Sequence, residues 1–386
     1  MDNRHSSARR RVARLAAGLA VAAALGLPAT TAFADGTADE GDEDLVKIET
    51  PTVAKQVLEG DEWSSSADAG ACDAVSFKVT GTLPSNWDEF DFYYYAFHDE
   101  PDEALEPQLD TVGVSLVLAD GDEVDVTDAF EASFSDSELI VECADLKAVA
   151  AFDAAGSDSL VVLTYDATID AAALGTGEDD AATNDAWIVY TSKAFTDALG
   201  KSTTAETLLY SWAIELHKVD EDGEALAGAT FTVLDVDAGL YLAADGTGSA
   251  SPVELAVDED GLLVVSGVDA GTYLVTEVSA PEGYEECDPF ALEISSDAAS
   301  GSPRLNAVAE VEDDGTQSVE VDSTDDATGV VALSVVDEEE AATSTSDLAQ
   351  TGSAVLVAAV ALAALGAVLV LASRRARTRD RDRYSD

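Results

Sequence analysis

Three ionisable residues stand where a β-strand would ordinarily place an aliphatic side chain. In Ile214-Glu215-Leu216-His217-Lys218, a period of two puts Lys218 on the face of Ile214 and Leu216. Tyr273-Leu274-Val275-Thr276-Glu277 groups Glu277 with Tyr273 and Val275, and Leu333-Ser334-Val335-Val336-Asp337 groups Asp337 with Leu333 and Val335. One amine and two carboxyls are thereby aimed toward a core, where a charge is expensive unless paired or neutralised. Three outcomes fit: the residues end their strands and reach water, they form a buried salt bridge, or they react. Burial favours the neutral forms of an amine and of a carboxylic acid. A neutral Lys218 amine can attack the Asp337 carboxyl carbon while protonated Glu277 polarises that carbonyl and shuttles protons. Water leaves and an amide forms. The folded core supplies the orientation, so the reaction needs no separate enzyme.

The same test of phase picks out Lys55, which lies with Val53 and Val57, and Asp99, which lies with Tyr93, Tyr95 and Phe97. Other chemistries find less support. With His98 and His217 the only histidines after residue 5, and two of the three cysteines before residue 150, no zinc site and no other metal or cofactor is expected. Asp220-Glu221-Asp222-Gly223 and Asp258-Glu259-Asp260-Gly261 are acidic, but their glycines come too early for an EF-hand loop, so they read as solvated turns. No seryl or cysteinyl nucleophile motif has a matched histidine. The rings of Trp87, Phe90, Phe92, Tyr93, Tyr94 and Tyr95, beside Asp88, Asp91 and Asp99, leave one rival: a secreted glycan-binding module or enzyme in residues 50–208. Strand alternation sends about half of those rings to a core.

The elements that must position these groups are strands. Asp120-Gly121, Asp222-Gly223, Asp245-Gly246, Asp260-Gly261 and Asp314-Gly315 supply tight-turn chemistry. Between such signals apolar residues recur with period two, as in Val161, Leu163, Tyr165, Ala167 and Ile169, or Val112, Val114, Leu116 and Leu118. Only about 145–151 reads as a short helix. The expectation is an all-β protein of two tandem β-sandwiches, 50–208 and 209–340, with an acidic leader over 35–49 and a spacer over 341–347. A net charge of −59 repels phosphate backbones, which argues against a nucleic-acid partner, while 47% hydrophobic residues argue for a buried core rather than disorder. Cys72 and Cys143 can staple the first sandwich in an oxidising compartment or remain separate buried thiols; Cys287 has no evident partner.

Both ends read as addresses. An arginine-rich start, an apolar run from Leu15 to Leu27 and the small-residue ending Ala32-Phe33-Ala34 predict a signal peptide over 1–34. Residues 353–373 form an uncharged apolar run long enough, at ~1.5 Å per residue, to span a bilayer as a transmembrane helix. Arginines in 374–386 hold that tail in the cytoplasm. Just before the run stands Leu348-Ala349-Gln350-Thr351-Gly352.

That pentapeptide, followed by span and basic tail, resembles the LPxTG sorting signal of Gram-positive surface proteins, in the LAxTG form known from high-GC organisms. The resemblance implies a sortase as partner, cleavage after Thr351, transfer to a peptidoglycan peptide amine and a wall-anchored location. Tyr273-x-x-x-Glu277-x-x-Ala280-Pro281-x-Gly283-Tyr284, with Leu226-Ala227-Gly228-Ala229-Thr230-Phe231, is similar to the signature of CnaB-type (prealbumin-like) domains of pilins and adhesins. It implies Lys218 and Asp337 as the bonded pair of an autocatalytic isopeptide and Glu277 as its acid. Residues 50–208 more loosely resemble the isopeptide-forming middle domain of fimbrial backbone pilins, with Lys55 and Asp99 as two of three members. The family's acceptor segment falls on Tyr190-Thr191-Ser192, where serine offers no amide, so a vestigial, unlinked pair is expected, with Asn184 an outside candidate. The implied function is a pilin-like adhesive stalk, either a shaft polymerised with other pilin subunits, for which Lys47 is the sole nearby lysine, or a basal pilin, or a monomeric wall protein; no host ligand is named by the sequence.

Overall fold

The computed structural model describes residues 50–71, 73–297, 304–311 and 319–340. The expected signal peptide, acidic leader with Lys47, spacer, sorting pentapeptide, apolar span and basic tail, together with Cys72, lie outside the described residues. The protein is all-β, as its turn spacing and period-two stripes predict: two tandem sandwiches, each with its own hydrophobic core. Among the described residues no helix is long and apolar enough to cross a membrane. The short helix expected near 145–151 is instead a pair of 3-10 turns, Leu146–Ala148 and Ala150–Ala154. So short a run closes too few hydrogen bonds to nucleate an α-helix.

In the first sandwich a six-stranded sheet faces a seven-stranded one. The six-stranded sheet pairs Val53–Glu59 with Ala74–Thr82, and Ala74–Thr82 with Leu160–Ile169, all antiparallel. The seven-stranded sheet pairs Ala182–Thr191 with Tyr95–Pro101 on one side and with Ala205–Tyr210 on the other. Burial alternates along these strands, so each sends every second side chain to the shared core. Trp87, Phe90, Tyr93 and Tyr95 are among the buried rings, which leaves Phe92 as the exposed member of the aromatic run.

The second sandwich sets a four-stranded sheet against another seven-stranded one. In the smaller sheet Trp212–Asp220 lies between Leu262–Val268, antiparallel, and Val330–Asp337, parallel. The first and last strands of this unit are therefore direct neighbours. The larger sheet contains Thr230–Asp235 and Gly271–Ser279 as an antiparallel pair. Ser211 alone separates the last strand of the first sandwich from the first strand of the second, and it is fully buried.

Candidate functional site

Lys218, Glu277 and Asp337 meet in the core of the second sandwich. Lys218 and Asp337 are fully buried and Glu277 nearly so. Parallel pairing sets Lys218 beside Val335 and Asp220 beside Asp337, so the lysine reaches along the sheet to the end of the neighbouring strand. Its Nζ contacts Asp337 Oδ1 and lies 3.4 Å from Glu277 Oε2, which arrives from the facing sheet. Gly261, at φ +73°, makes the close turn behind the lysine: its carbonyl accepts from Lys218 N at 2.7 Å, and a Cβ there would lie 2.7 Å from Lys218 O. The segment after the strand is pinned by an isolated bridge between Tyr284 and Glu339, with Glu285 N donating to Glu338 O at 3.0 Å and Glu340 N to Gly283 O at 2.8 Å.

Electrostatics at this site favour neutral acids. Burial raises the Glu277 carboxyl above the ordinary range against the pull of the Cys287 N–H, which donates to Oε2 at 2.7 Å, and of Lys218. Burial likewise raises Asp337, opposed by its contact with Lys218. Glu277 Oε1 and Asp337 Oδ2 have no hydrogen-bond partner among the described residues. One oxygen from each carboxyl and the Cys287 sulfur lie within 4.8 Å of one another, a spacing that would also suit a metal ion. Lys218 Nζ occupies the approach to both acids, so the donors are arranged around an amine.

A second buried cluster lies between the sheets of the first sandwich. Lys55 comes from the six-stranded sheet and Asp99 from the seven-stranded one, and the two are in direct contact. Burial lowers the Lys55 amine and raises the Asp99 carboxyl, each against the opposing pull of its partner. Asn184, fully buried on the strand next to Asp99, joins them: its Nδ2 donates to Tyr165 Oη at 2.7 Å, and Tyr165 donates to Asp99 Oδ1 at 2.8 Å. Asn184 Oδ1 has no partner among the described residues. The amide brought to Lys55 and Asp99 is therefore that of Asn184, not a group of Tyr190-Thr191-Ser192. The signal was available: Asn184 shares the buried face of Ala182, Ala186, Ile188 and Tyr190, the same kind of phase that marks the ionisable residues on their strands. Cys143 carries a buried free thiol, and its candidate partner Cys72 lies outside the described residues.

Residues 213–306 match the family model of the SpaA prealbumin-like fold domain. Among solved structures, the group B streptococcus pilus 2b backbone protein is similar at 16% identity, over 74% of this chain and 98% of that one, with a TM-score of 0.53. The 35 kDa C-terminal fragment of the major pilin GBS80 of Streptococcus agalactiae is 16% identical over 68% of this chain and 91% of its own, with a TM-score of 0.49. BcpA, the major pilin subunit of Bacillus cereus, is 17% identical over 76% and 71%, with a TM-score of 0.46. Among curated proteins no sequence is significantly similar to this chain. At these identities the likeness is one of fold.

Proposed function

We propose that this chain is a pilin-type surface protein: a stalk of two β-sandwiches braced by internal amide bonds and joined to the cell wall by a sortase acting at Leu348-Ala349-Gln350-Thr351-Gly352. The buried triad of Lys218, Glu277 and Asp337 within a prealbumin-like domain carries the reading. Lys218 Nζ attacks Asp337 Cγ, Glu277 takes the amine proton and delivers one to the departing oxygen, and water leaves. The bond would join the first and last strands of the second sandwich, so a pull on the two ends loads a covalent link before it loads sheet hydrogen bonds. In the first sandwich the reading goes beyond the unlinked pair expected from sequence. Lys55 is assigned a bond to Asn184, with Asp99 as the proton shuttle and ammonia as the leaving group. That bond would tie one sheet to the other across the core.

Intact mass of the full chain tests both assignments. The expected product is lighter than its formula by one water and one ammonia, with linked peptides 218–337 and 55–184 after digestion. Glu277→Ala should restore the water and Asp99→Ala the ammonia. A wild-type chain at full formula mass would reduce both clusters to buried ion pairs and remove the braced-stalk function.

A further inference from the structure

The hydroxyl of Tyr165 touches every member of the first-sandwich cluster. It donates to Asp99 Oδ1 at 2.8 Å, accepts from Asn184 Nδ2 at 2.7 Å and lies 3.4 Å from Lys55 Nζ. The ring is buried, stacked on Phe77 at 5.4 Å between centroids, and cannot swing away without opening the core. Among the described residues no tyrosine hydroxyl is hydrogen-bonded to Lys218, Glu277 or Asp337 in the second sandwich, where a backbone N–H and a thiol of Cys287 address the proposed catalytic acid. The two clusters differ in their leaving group. An aspartic acid sheds an oxygen, whereas an asparagine must shed a nitrogen, which departs only after gaining a proton.

We infer that Tyr165 is a catalytic proton relay for the first-sandwich cross-link, handing a proton from Asp99 to the departing Asn184 nitrogen. This rests on the assignment of Lys55 to Asn184 made above. Lys55 Nζ bonds to Asn184 Cγ and the carbonyl electron pair moves to Oδ1. With Asp99 protonated at Oδ1, the Tyr165 hydroxyl turns from Oδ1 toward Nδ2, whose lone pair is freed once Cγ is tetrahedral, so both resting hydrogen bonds reverse. Asp99 then accepts a proton from Nζ at Oδ2 while giving the one on Oδ1 to the Tyr165 oxygen. Tyr165 passes its own proton to Nδ2, now pyramidal and basic. The carbonyl re-forms, the Cγ–Nδ2 bond breaks and ammonia leaves. Asp99 ends as a neutral acid with its proton on Oδ2 instead of Oδ1, Tyr165 is again a neutral phenol, and the net change is one proton moved from the lysine nitrogen to the amide nitrogen. In the resting state the same contact, with a further hydrogen bond from the Asn184 side chain to Asp99, holds Nδ2 toward the phenol and the acid and leaves Oδ1 without a partner among the described residues. The titratable groups facing this hydroxyl are Lys55 and Asp99; Asp185 acts on Lys55 from the neighbouring position.

The experiment uses the full chain, recovered unlinked in denaturant, diluted into refolding buffer and quenched at intervals for intact mass. Wild type should lose ammonia between Lys55 and Asn184 and water between Lys218 and Asp337. Tyr165→Phe keeps the stacked ring but should slow the ammonia loss on the order of a hundredfold, the usual scale of a general acid. The water loss in the same molecules should stay at the wild-type rate and reports that the chain has folded. If Tyr165→Phe disturbs folding, 3,5-difluorotyrosine at 165 decides: a more acidic phenol of nearly the same shape should shift the pH profile of ammonia loss alone. Wild-type rates and pH profile in these variants would overturn the relay and leave the Lys55–Asn184 bond standing. A wild-type chain that never loses ammonia would remove that bond, and the relay with it.

Discussion

At the scale of single residues, the identity of the acceptor dictates what leaves. Burial raises the Asp337 carboxyl above the ordinary range against the pull of Lys218, and in the proposed reaction the group that would leave it is water. Asparagine at the same position would present a neutral carbonyl without titration, and ammonia would depart instead. Asp337→Asn should therefore change the mass lost in the second sandwich from one water to one ammonia. Asn184→Asp should make the reverse exchange in the first. Mass spectrometry of the 218–337 and 55–184 linked peptides reads both, and an unchanged leaving group in either would show that another carboxyl or amide is the acceptor. Lys218, Glu277, Asp337, Lys55 and Asp99 could all be found in the sequence because each interrupts an apolar stripe in phase. Asn184 obeys the same rule, yet its strand is harder to see: Thr183 and Asp185 flank it after the acidic run Glu178-Asp179-Asp180, and an uncharged amide attracts no attention as a burial anomaly. Tyr165 was visible only as a core residue. Nothing in a stripe of Val161, Leu163 and Tyr165 tells which hydroxyl will face an ion pair in the opposite sheet.

At the scale of strands, the clusters require two sheets to approach closely, and glycines set that approach. Gly81 lies between Val53 and Val161 in the six-stranded sheet, two residues along the ladder from the position opposite Lys55. A Cβ there would sit 2.0 Å from Tyr95 Oη and 2.4 Å from Ile188 Cδ1, both fully buried in the facing sheet. Neither side chain has room to retreat in a close-packed core. Gly81→Ala should destabilise the first sandwich by at least about 2 kcal/mol, the scale of overpacking a core, and lower its melting temperature. Gly156→Ala, where nothing lies within 4 Å, is the matched control and should melt like wild type. Equal melting of the two variants would mean that the sheets are not held at this spacing. Sequence alone placed the strands and many of their turns, because period and Asp-Gly signals are local. It did not give the sheet partners, which depend on contacts such as Val53–Glu59 against Ala74–Thr82 and on the parallel pairing of strands more than a hundred residues apart.

At the scale of the whole chain, two sandwiches braced as proposed would make a stiff stalk only if their junction were also stiff. Asp68 of the first sandwich accepts from Trp212 Nε1 at 2.9 Å and from Ala270 N at 2.8 Å. Ala71 N donates to Gly267 O at 2.8 Å, and Thr176 Oγ1 donates to Thr328 O at 2.9 Å. Gly177, at φ +75°, lets the backbones touch: a Cβ there would meet Ala327 O at 2.3 Å. Two loops of the first unit thus grip two turns of the second, around a single-residue link. The grip gathers acids. Glu59, whose Oε2 accepts from Asp68 N at 3.1 Å, is pushed up to about 7, by burial first and then by the Asp68 carboxylate. Burial also raises Asp73, and it raises Asp269 well above the usual range with help from Asp68. Groups with raised values bind protons in the closed junction that they release when it opens. Closure is therefore favoured as pH falls through about 7 toward the ordinary carboxylate range, and that contribution is lost as pH rises through the raised value. Amide exchange at Ala71 and Ala270, corrected for intrinsic rates, should show protection decreasing from about pH 5 to about pH 8, the interval spanned by the raised value. Glu59→Gln cannot ionise and should flatten much of that slope while leaving the mass of both cross-links unchanged. Protection that climbs with pH, or an identical slope in Glu59→Gln, would mean that the acids at the junction are solvated and that its stiffness does not depend on their protons.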